Sequence, residues 1–189
     1  MEIMRLAYAF TLTILLMLCA SADAQATPVS RDEANQYYQN CVKQDSAATG
    51  PENMRMLCSC AAAKIVEVMT QEELQSLSPE AAQNRPVRDK MLLDVYAPCL
   101  DEIAPELFAH QCASDESLHE LGDRIDVTAA CGCVGERAGK WFKGKARTII
   151  AELLKANPLL VDPVAPLMTE RQVRREVTGH LVGCSSKNP

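Results

Sequence analysis

Eight of the nine cysteines in this sequence follow a repeated spacing and are the residues most able to do chemistry. They form two groups of the pattern C…CxC…C, in which a Cys-x-Cys has one cysteine before it and one after it. The first group is Cys41, Cys58, Cys60 and Cys99, and the second is Cys112, Cys131, Cys133 and Cys184. Cysteine sulfur can form structural disulfides, exchange electrons as a dithiol or bind a soft metal ion. The repeat predicts two divergent copies of one module.

Each Cys-x-Cys lies in a segment with the apolar periodicity of a helix. At about 100° per residue, Cys58 shares the apolar face of its segment, whereas Cys60 points roughly 200° away. Cys131 and Cys133 show the same asymmetry. Two cysteines on opposite sides of one helix cannot bond each other, because a disulfide needs Cβ atoms about 4 Å apart. Each cysteine is therefore expected to bond a different neighbouring helix.

These constraints predict that the central helix of each module is tied to the helix before it and to the helix after it. If the first two helices form an antiparallel hairpin, their cysteines lie at similar distances from the turn. We therefore predict four disulfides: Cys41 with Cys58, Cys60 with Cys99, Cys112 with Cys131, and Cys133 with Cys184. The crossed pairing within each half is the competing arrangement. Each closure would contribute about 3 to 4 kcal/mol in the loop-entropy model.

Redox catalysis and metal binding are the alternatives to a structural role for these cysteines. An active-site dithiol is expected within a recognisable fold, and the sequence has no βαβ pattern. A cluster of soft ligands that would suit Cu(I) is formed by Met54, Met56, Cys58 and Cys60. Methionine is also an ordinary core residue, and the second module lacks these methionines. We favour structural disulfides and expect no cofactor, with copper binding at these four residues as the alternative.

The first 24 residues have the features of a cleaved export signal. Arg5 precedes an apolar run over residues 6–20, and the Ala-Asp-Ala sequence at 22–24 offers a small-x-small cleavage site. The run is short for a membrane span, which needs about 20 apolar residues. Cys19 would be lost with this peptide, which leaves an even number of cysteines for an oxidising compartment. We predict a periplasmic or secreted protein with no stable membrane insertion after cleavage.

The remaining chain predicts an all-α fold, a disulfide-stapled helical bundle. Capping boxes, in which a Ser or Thr is followed three residues later by Glu or Gln, begin helices at Ser30 and Thr70. A third box is expected at Thr169 and Gln172. No run of alternating β-branched residues indicates a strand.

The cysteine repeat divides the mature chain into a first module, residues 25–104, and a second module, residues 105–189. We expect the two to pack as one compact body. Pro105 is expected to begin the first helix of the second module, because proline is favoured at the first helical position. The segment 158–168 holds three prolines and is expected to form an apolar loop over the core.

Composition, charge and motifs argue against two classes of function, nucleic-acid binding and catalysis. The chain has a net charge of −6, and no stripe of Lys or Arg with interleaved aromatic residues indicates a nucleic-acid partner. We expect no enzymatic activity, because the sequence has no Gly-rich phosphate loop, Ser nucleophile elbow or H-E-x-x-H motif.

Export, paired cysteines and missing catalytic motifs together favour a protein-binding or accessory role. A periplasmic inhibitor, an immunity-type protein or an assembly factor that binds an unidentified protein partner would fit. The alternative function is a copper or thiol redox carrier that uses the Cys-x-Cys elements. The sequence assigns no oligomeric state.

Overall fold

The computed structural model describes residues 26–44, 48–77, 84–120 and 125–185, and over these ranges the protein is all-α with no strand. The predicted export signal lies outside them. The helices are α1 (Arg31–Cys41), α2 (Pro51–Val68), α3 (Gln71–Gln75), α4 (Arg85–Lys90), a π-helical turn (Met91–Tyr96), α5 (Ala97–Ala113), α6 (Glu116–His119), α7 (Val127–Phe142), α8 (Ala146–Ala156), α9 (Val164–Thr169) and α10 (Arg171–Ser185).

The first module begins with a hairpin of α1 and α2. Ser30 and Glu33 form the expected capping box at the start of α1, each side chain accepting a hydrogen bond from the backbone N–H of the other residue. Before α2 the chain turns at Gly50, whose φ of 74° is one that glycine adopts readily. Pro51 then takes the first position of α2, where no backbone N–H is needed. A Cβ at Gly50 would lie 2.7 Å from the ring of His110, so this turn packs directly on α5.

A continuous helical element over residues 85–113 connects the two modules through the π-helical turn. In a π-helix, the backbone N–H of residue 98 would donate to the carbonyl of Leu93, five residues earlier. Residue 98 is a proline, which has no N–H. Arg147 of α8 donates to the Leu93 carbonyl at 3.0 Å and also pairs with the Asp94 carboxylate. The carbonyl that the π turn leaves free is thereby satisfied, and α8 is fixed against the turn.

Helices α5 and α7 pack at very close range. A Cβ at Gly135 of α7 would collide with the carbonyl oxygen of Pro105, and one at Gly139 would lie 2.7 Å from the proline ring. Only glycine lets the two backbones approach this closely. The same helix pair buries Phe108 and Phe142, whose rings meet edge to face with centroids 5.4 Å apart. Close internal packing therefore explains two of the glycines in the second Cys-x-Cys helix.

The C-terminal helices α8 and α10 are held in place by contacts with α5 and α7. The Asp101 carboxylate of α5 accepts hydrogen bonds from the backbone N–H of Gly144 at 3.1 Å and of Ala146 at 3.3 Å, and so caps α8. Burial raises the pKa of Asp101, while these hydrogen bonds act in the opposite direction. Beyond α8 the chain passes through α9 into α10, which packs along α7.

One main hydrophobic core is shared by both modules. It joins Leu57 of α2, Leu100 of α5, Phe142 of α7 and Ile150 of α8, all with 2% exposure or less. The division of the sequence repeat at residue 105 falls within α5.

Two predictions about proline are wrong. Pro105 does not begin a helix, because the residues from Ala97 onward are already helical, and its ring instead packs against Gly139. The segment 158–168 is not entirely a loop, since α9 occupies its second half. Pro166 lies in the first turn of α9, where its missing N–H removes no helical hydrogen bond.

The third capping box is also wrong. The hydroxyl of Thr169 donates to carbonyls of the preceding α9. Glu170 caps α10 instead, since its carboxylate accepts hydrogen bonds from the backbone N–H of Gln172 at 2.6 Å and of Val173 at 2.9 Å. A carboxylate at this position also complements the positive end of the helix dipole.

The α5–α7 contact predicts that alanine substitutions at two glycines of α7 change the free energy of unfolding differently. Gly135→Ala should lower the free energy of unfolding by about 1 to 3 kcal/mol, because its methyl group would collide with the Pro105 carbonyl and the Ala109 side chain. Gly132→Ala meets nothing within 4 Å and should be neutral or stabilising by up to about 1 kcal/mol. Urea denaturation of the oxidised variants measures both, and equal effects would contradict the close contact.

Candidate functional site

Four disulfides form the framework of the described structure. They join Cys41 to Cys58, Cys60 to Cys99, Cys112 to Cys131 and Cys133 to Cys184, the pairing that the hairpin arrangement favours over the crossed one. The central helices α2 and α7 are each tied to the preceding hairpin helix through one cysteine and to a later helix through the other.

The two disulfides of each module differ in burial. Cys58 and Cys131, the first cysteines of the Cys-x-Cys pairs, are 0% and 2% exposed. Cys60 and Cys133, the second cysteines, are only half-buried. This difference follows from the helical phase, since the first cysteine of each pair faces the hairpin and the second faces outward toward a later helix.

The four residues considered for copper do not converge on one point. Met54 and Cys58 belong to a small buried cluster beside α1, whereas Met56 and Cys60 pack against the main core. Both sulfurs of the Cys-x-Cys are engaged in disulfides, and cysteine binds metals as the thiolate. Within the described ranges, no group of three or more His, Cys, Asp or Glu residues is arranged to hold a metal ion.

An uncharged area on the outward side of α2 is uncovered by the described helices. It consists of Ser59, Ala62, Ala63 and Val66, which we call the α2 patch. Ser59 and Ala63 are exposed, and Val66 is 37% exposed. Two surface depressions meet along Ser59 and Ala63, one between α1 and α2 and the other between α2 and α5. The patch is therefore the floor of a concave surface made by three helices.

The walls of this concave surface differ in charge. On the α1 side, Arg31 and Tyr38 border the depression. On the α5 side stand Glu102 and Glu106, both exposed and one helical turn apart, with buried Ile103 between them. The α5 wall is thus acidic. The α2 patch carries no charge, and Arg55 of α2 borders the same depression one turn before Ser59.

A basic side chain at the edge of the patch lies between acidic ones. Lys64 pairs with Glu67 at 2.8 Å. This hydrogen bond raises the pKa of Lys64, and the charge of Glu102 on α5 acts in the same direction. Lys64 is therefore already engaged with Glu67, and the two carboxylates of the α5 wall outnumber Arg55, the cation that lines the same depression.

The second module provides an internal comparison for the patch. Aligning Cys58 with Cys131 places Glu136 of α7 where α2 has Ala63, and Glu136 is exposed. It also places Gly139, which is buried beneath Pro105, where α2 has the exposed Val66. The second module thus folds with a charged residue at this position. We infer that the helix packing of the first module does not require an uncharged residue at Ala63.

Sequence reasoning missed the residues that make this surface. The helical phase placed the side of α2 that carries Cys60 toward solvent, but it could not show that α1 and α5 flank it. Glu102 and Glu106 are spaced four residues apart in the sequence, which is the signal that could have marked an acidic helix edge.

None of the helices in the described part of the chain has both the length and the apolar character needed to cross a bilayer. Comparison with known proteins finds no matching family model, no matching characterised sequence and no matching solved structure.

The separation of the methionines predicts how the oxidised protein responds to copper. Titration with Cu(I) against a colorimetric competitor should reveal no stoichiometric site, because the sulfurs of Cys58 and Cys60 are not thiolates. A Met54→Leu/Met56→Leu double variant, which conserves side-chain volume, should give the same titration. One bound equivalent that is lost in the double variant would contradict this result and favour the carrier function.

Proposed function

We propose that this protein is an exported protein-binding factor and that its partner binds on the α2 patch. The uncharged patch, uncovered by the described helices, is the observation that carries the proposal. Its counterpart in the second module has Glu136 in place of Ala63. A patch that the fold does not need, on a helix fixed at both sides by disulfides, suits the recognition of another protein.

The chemistry of the surface supports a particular kind of partner. Its floor of small side chains allows a close approach, so the partner should present a helix with small or apolar residues on its contacting face. The acidic α5 wall favours basic side chains along one edge of that helix. Because Glu102 and Glu106 are one turn apart, Lys or Arg residues at a spacing of four would match them.

Charge disfavours an antiparallel second copy of this chain as the occupant. In a two-fold dimer with antiparallel α2 helices, the α5 wall of one copy would face the α5 wall of the other. Glu102 and Glu106 would then meet their own counterparts, and like charges opposed across an interface are destabilising. With parallel α2 helices the α5 wall would instead face the α1 wall, where Arg31 supplies one cation for two carboxylates, whereas a heterologous helix with two basic side chains matches both.

Cysteine chemistry supports the proposed compartment. The four disulfides use every cysteine after residue 19, and disulfides persist in the periplasm and outside the cell. A disulfide-stapled helical layer keeps its shape there, so little conformational entropy is lost when the partner binds.

A photocrosslinking residue at position 63 tests the proposed surface in cells. With the photocrosslinking residue in place of Ala63, this protein should crosslink to one other protein. Peptide mapping should place the crosslink on a helix of that protein that has basic residues along one edge. The same residue at position 136, the equivalent position of α7, is the matched control and should give no crosslink to that protein. A crosslink from position 136 alone, or only between copies of this chain, would refute the proposal.

The partner identified by crosslinking should be retained by this protein in a pull-down, and the amount retained should depend on charge at the α2 patch. Ala63→Arg should abolish retention, because the substitution places a bulky cation on the floor. Glu136→Arg should leave it unchanged. Both positions are exposed, so each variant should unfold within about 0.5 kcal/mol of the wild type. Charge reversal at Glu102 and Glu106 should weaken retention, whereas unchanged binding in that variant would exclude the acidic wall from the interface.

A further inference from the structure

Helix α10 is lightly attached to the rest of the protein. Only two of its side chains are fully buried, Val173 near its start and Cys184 near its end. Its inner face is separated from the end of α5 and from α6 by a cavity of about 190 Å³ whose lining includes Leu118 and Leu181. Surfaces that border a cavity lose dispersion contacts. The Cys133–Cys184 disulfide is therefore a main attachment of the C-terminal half of this helix.

The Cys60–Cys99 disulfide of the first module occupies the equivalent place but has a different setting. Cys99 is 0% exposed and belongs to the main core, within a helix that buries eight residues. Cys184 is 8% exposed, at the end of a helix that buries two. Opening Cys60–Cys99 would leave α5 held by its packing, whereas opening Cys133–Cys184 would leave the C-terminal half of α10 held only by partly buried side chains such as Val177 and Leu181.

Two side chains, each one helical turn from a cysteine of the Cys133–Cys184 bond, suit thiol–disulfide exchange. Arg137 is one helical turn after Cys133, and its Nη1 lies 3.1 Å from where a Cβ of Gly183 would be. A cation in this place stabilises a departing thiolate. His180 is one turn before Cys184, and its Nε2 atom is buried without a hydrogen-bond partner in the described structure. After reduction, the S–H of Cys184 would be a hydrogen-bond donor one helical turn away from the Nε2 atom of His180.

We propose that Cys133–Cys184 is a reducible latch, opened by a dithiol reductant, that releases α10 from α7 while the other three disulfides stay closed. A reductant thiolate attacks the half-buried Cys133 sulfur, the bond to Cys184 breaks, and the Cys184 thiolate leaves and takes up a proton. The second thiol of the reductant then displaces Cys133, which is protonated in turn. One disulfide and one dithiol thus become two cysteine thiols and one oxidised reductant.

Release of α10 uncovers an apolar surface distinct from the α2 patch. Leu118 and Val134 lie in the cluster that α10 covers, together with Cys112 and Cys131. These side chains are 6% exposed or less in the closed state. Reduction therefore changes the molecule from one with this surface closed to one that exposes it.

Graded reduction of the oxidised protein tests the latch. Samples treated with dithiothreitol are quenched in acid, alkylated and mapped by mass spectrometry. Cys133 and Cys184 should be alkylated at least about tenfold faster than the other six cysteines. Over the same interval, the backbone amides of residues 178–185 in α10 should begin to exchange with deuterium. Earlier opening of Cys60–Cys99, or amides at 178–185 that stay protected after the latch is open, would overturn the proposal.

Substitutions separate the latch from general instability. Arg137→Gln should slow reduction of Cys133–Cys184 several-fold, and Lys140→Gln, an exposed cation on the same helix, should not. A Cys133→Ser/Cys184→Ser variant should keep a cooperative unfolding transition while the amides of residues 178–185 exchange rapidly without reductant. Equal reduction rates in the Arg137 and Lys140 variants would refute the role of Arg137, and protected amides at 178–185 in the serine variant would refute the latch itself.

Discussion

Two cysteines that project from opposite sides of one helix are the constraint on which this structure depends. Because Cys58 and Cys60 cannot bond each other, α2 must lie between two other helices and be tied to both. The same holds for α7. This explains why each module has a central helix, and why α2 presents one face to solvent between α1 and α5.

The hairpin disulfides, with sequence separations of 17 and 19 residues, and the start of α1 could be predicted from the sequence because they depend on local geometry. The other two bonds join the remaining cysteine of each Cys-x-Cys to the helix that follows. The phase of a helix assigns each cysteine a side, and the capping box at Ser30 is completed within four residues. The continuity of α5 could not be predicted, since Pro105 is a good first residue for a helix. Its position inside α5 depends on the glycines of α7, which are distant in sequence. The cap at Glu170 escaped prediction because Thr169 offered a competing local pattern.

The functional surfaces lie where the two modules have diverged. In the second module, glycines bring α7 against α5, and the outward face carries Glu136. In the first module the equivalent face stays uncharged and uncovered, and an acidic helix edge runs beside it. The last cysteine of each module also differs, since Cys99 is in the main core and Cys184 holds a helix with few buried residues. Sequence periodicity gives the repeat but not the neighbours that decide exposure.

Disulfide mapping of the protein purified from its own cells tests the account most directly. Acid quench and alkylation before digestion preserve the native bonds, and the account predicts peptides linked as Cys41–Cys58, Cys60–Cys99, Cys112–Cys131 and Cys133–Cys184. Linked peptides that contain a crossed pair, such as Cys41–Cys60 or Cys112–Cys133, would contradict it. Crossed bonds would still tie α2 to α1 and α5, but through the opposite sides of α2, and so would rearrange the three-helix surface on which the proposed function rests.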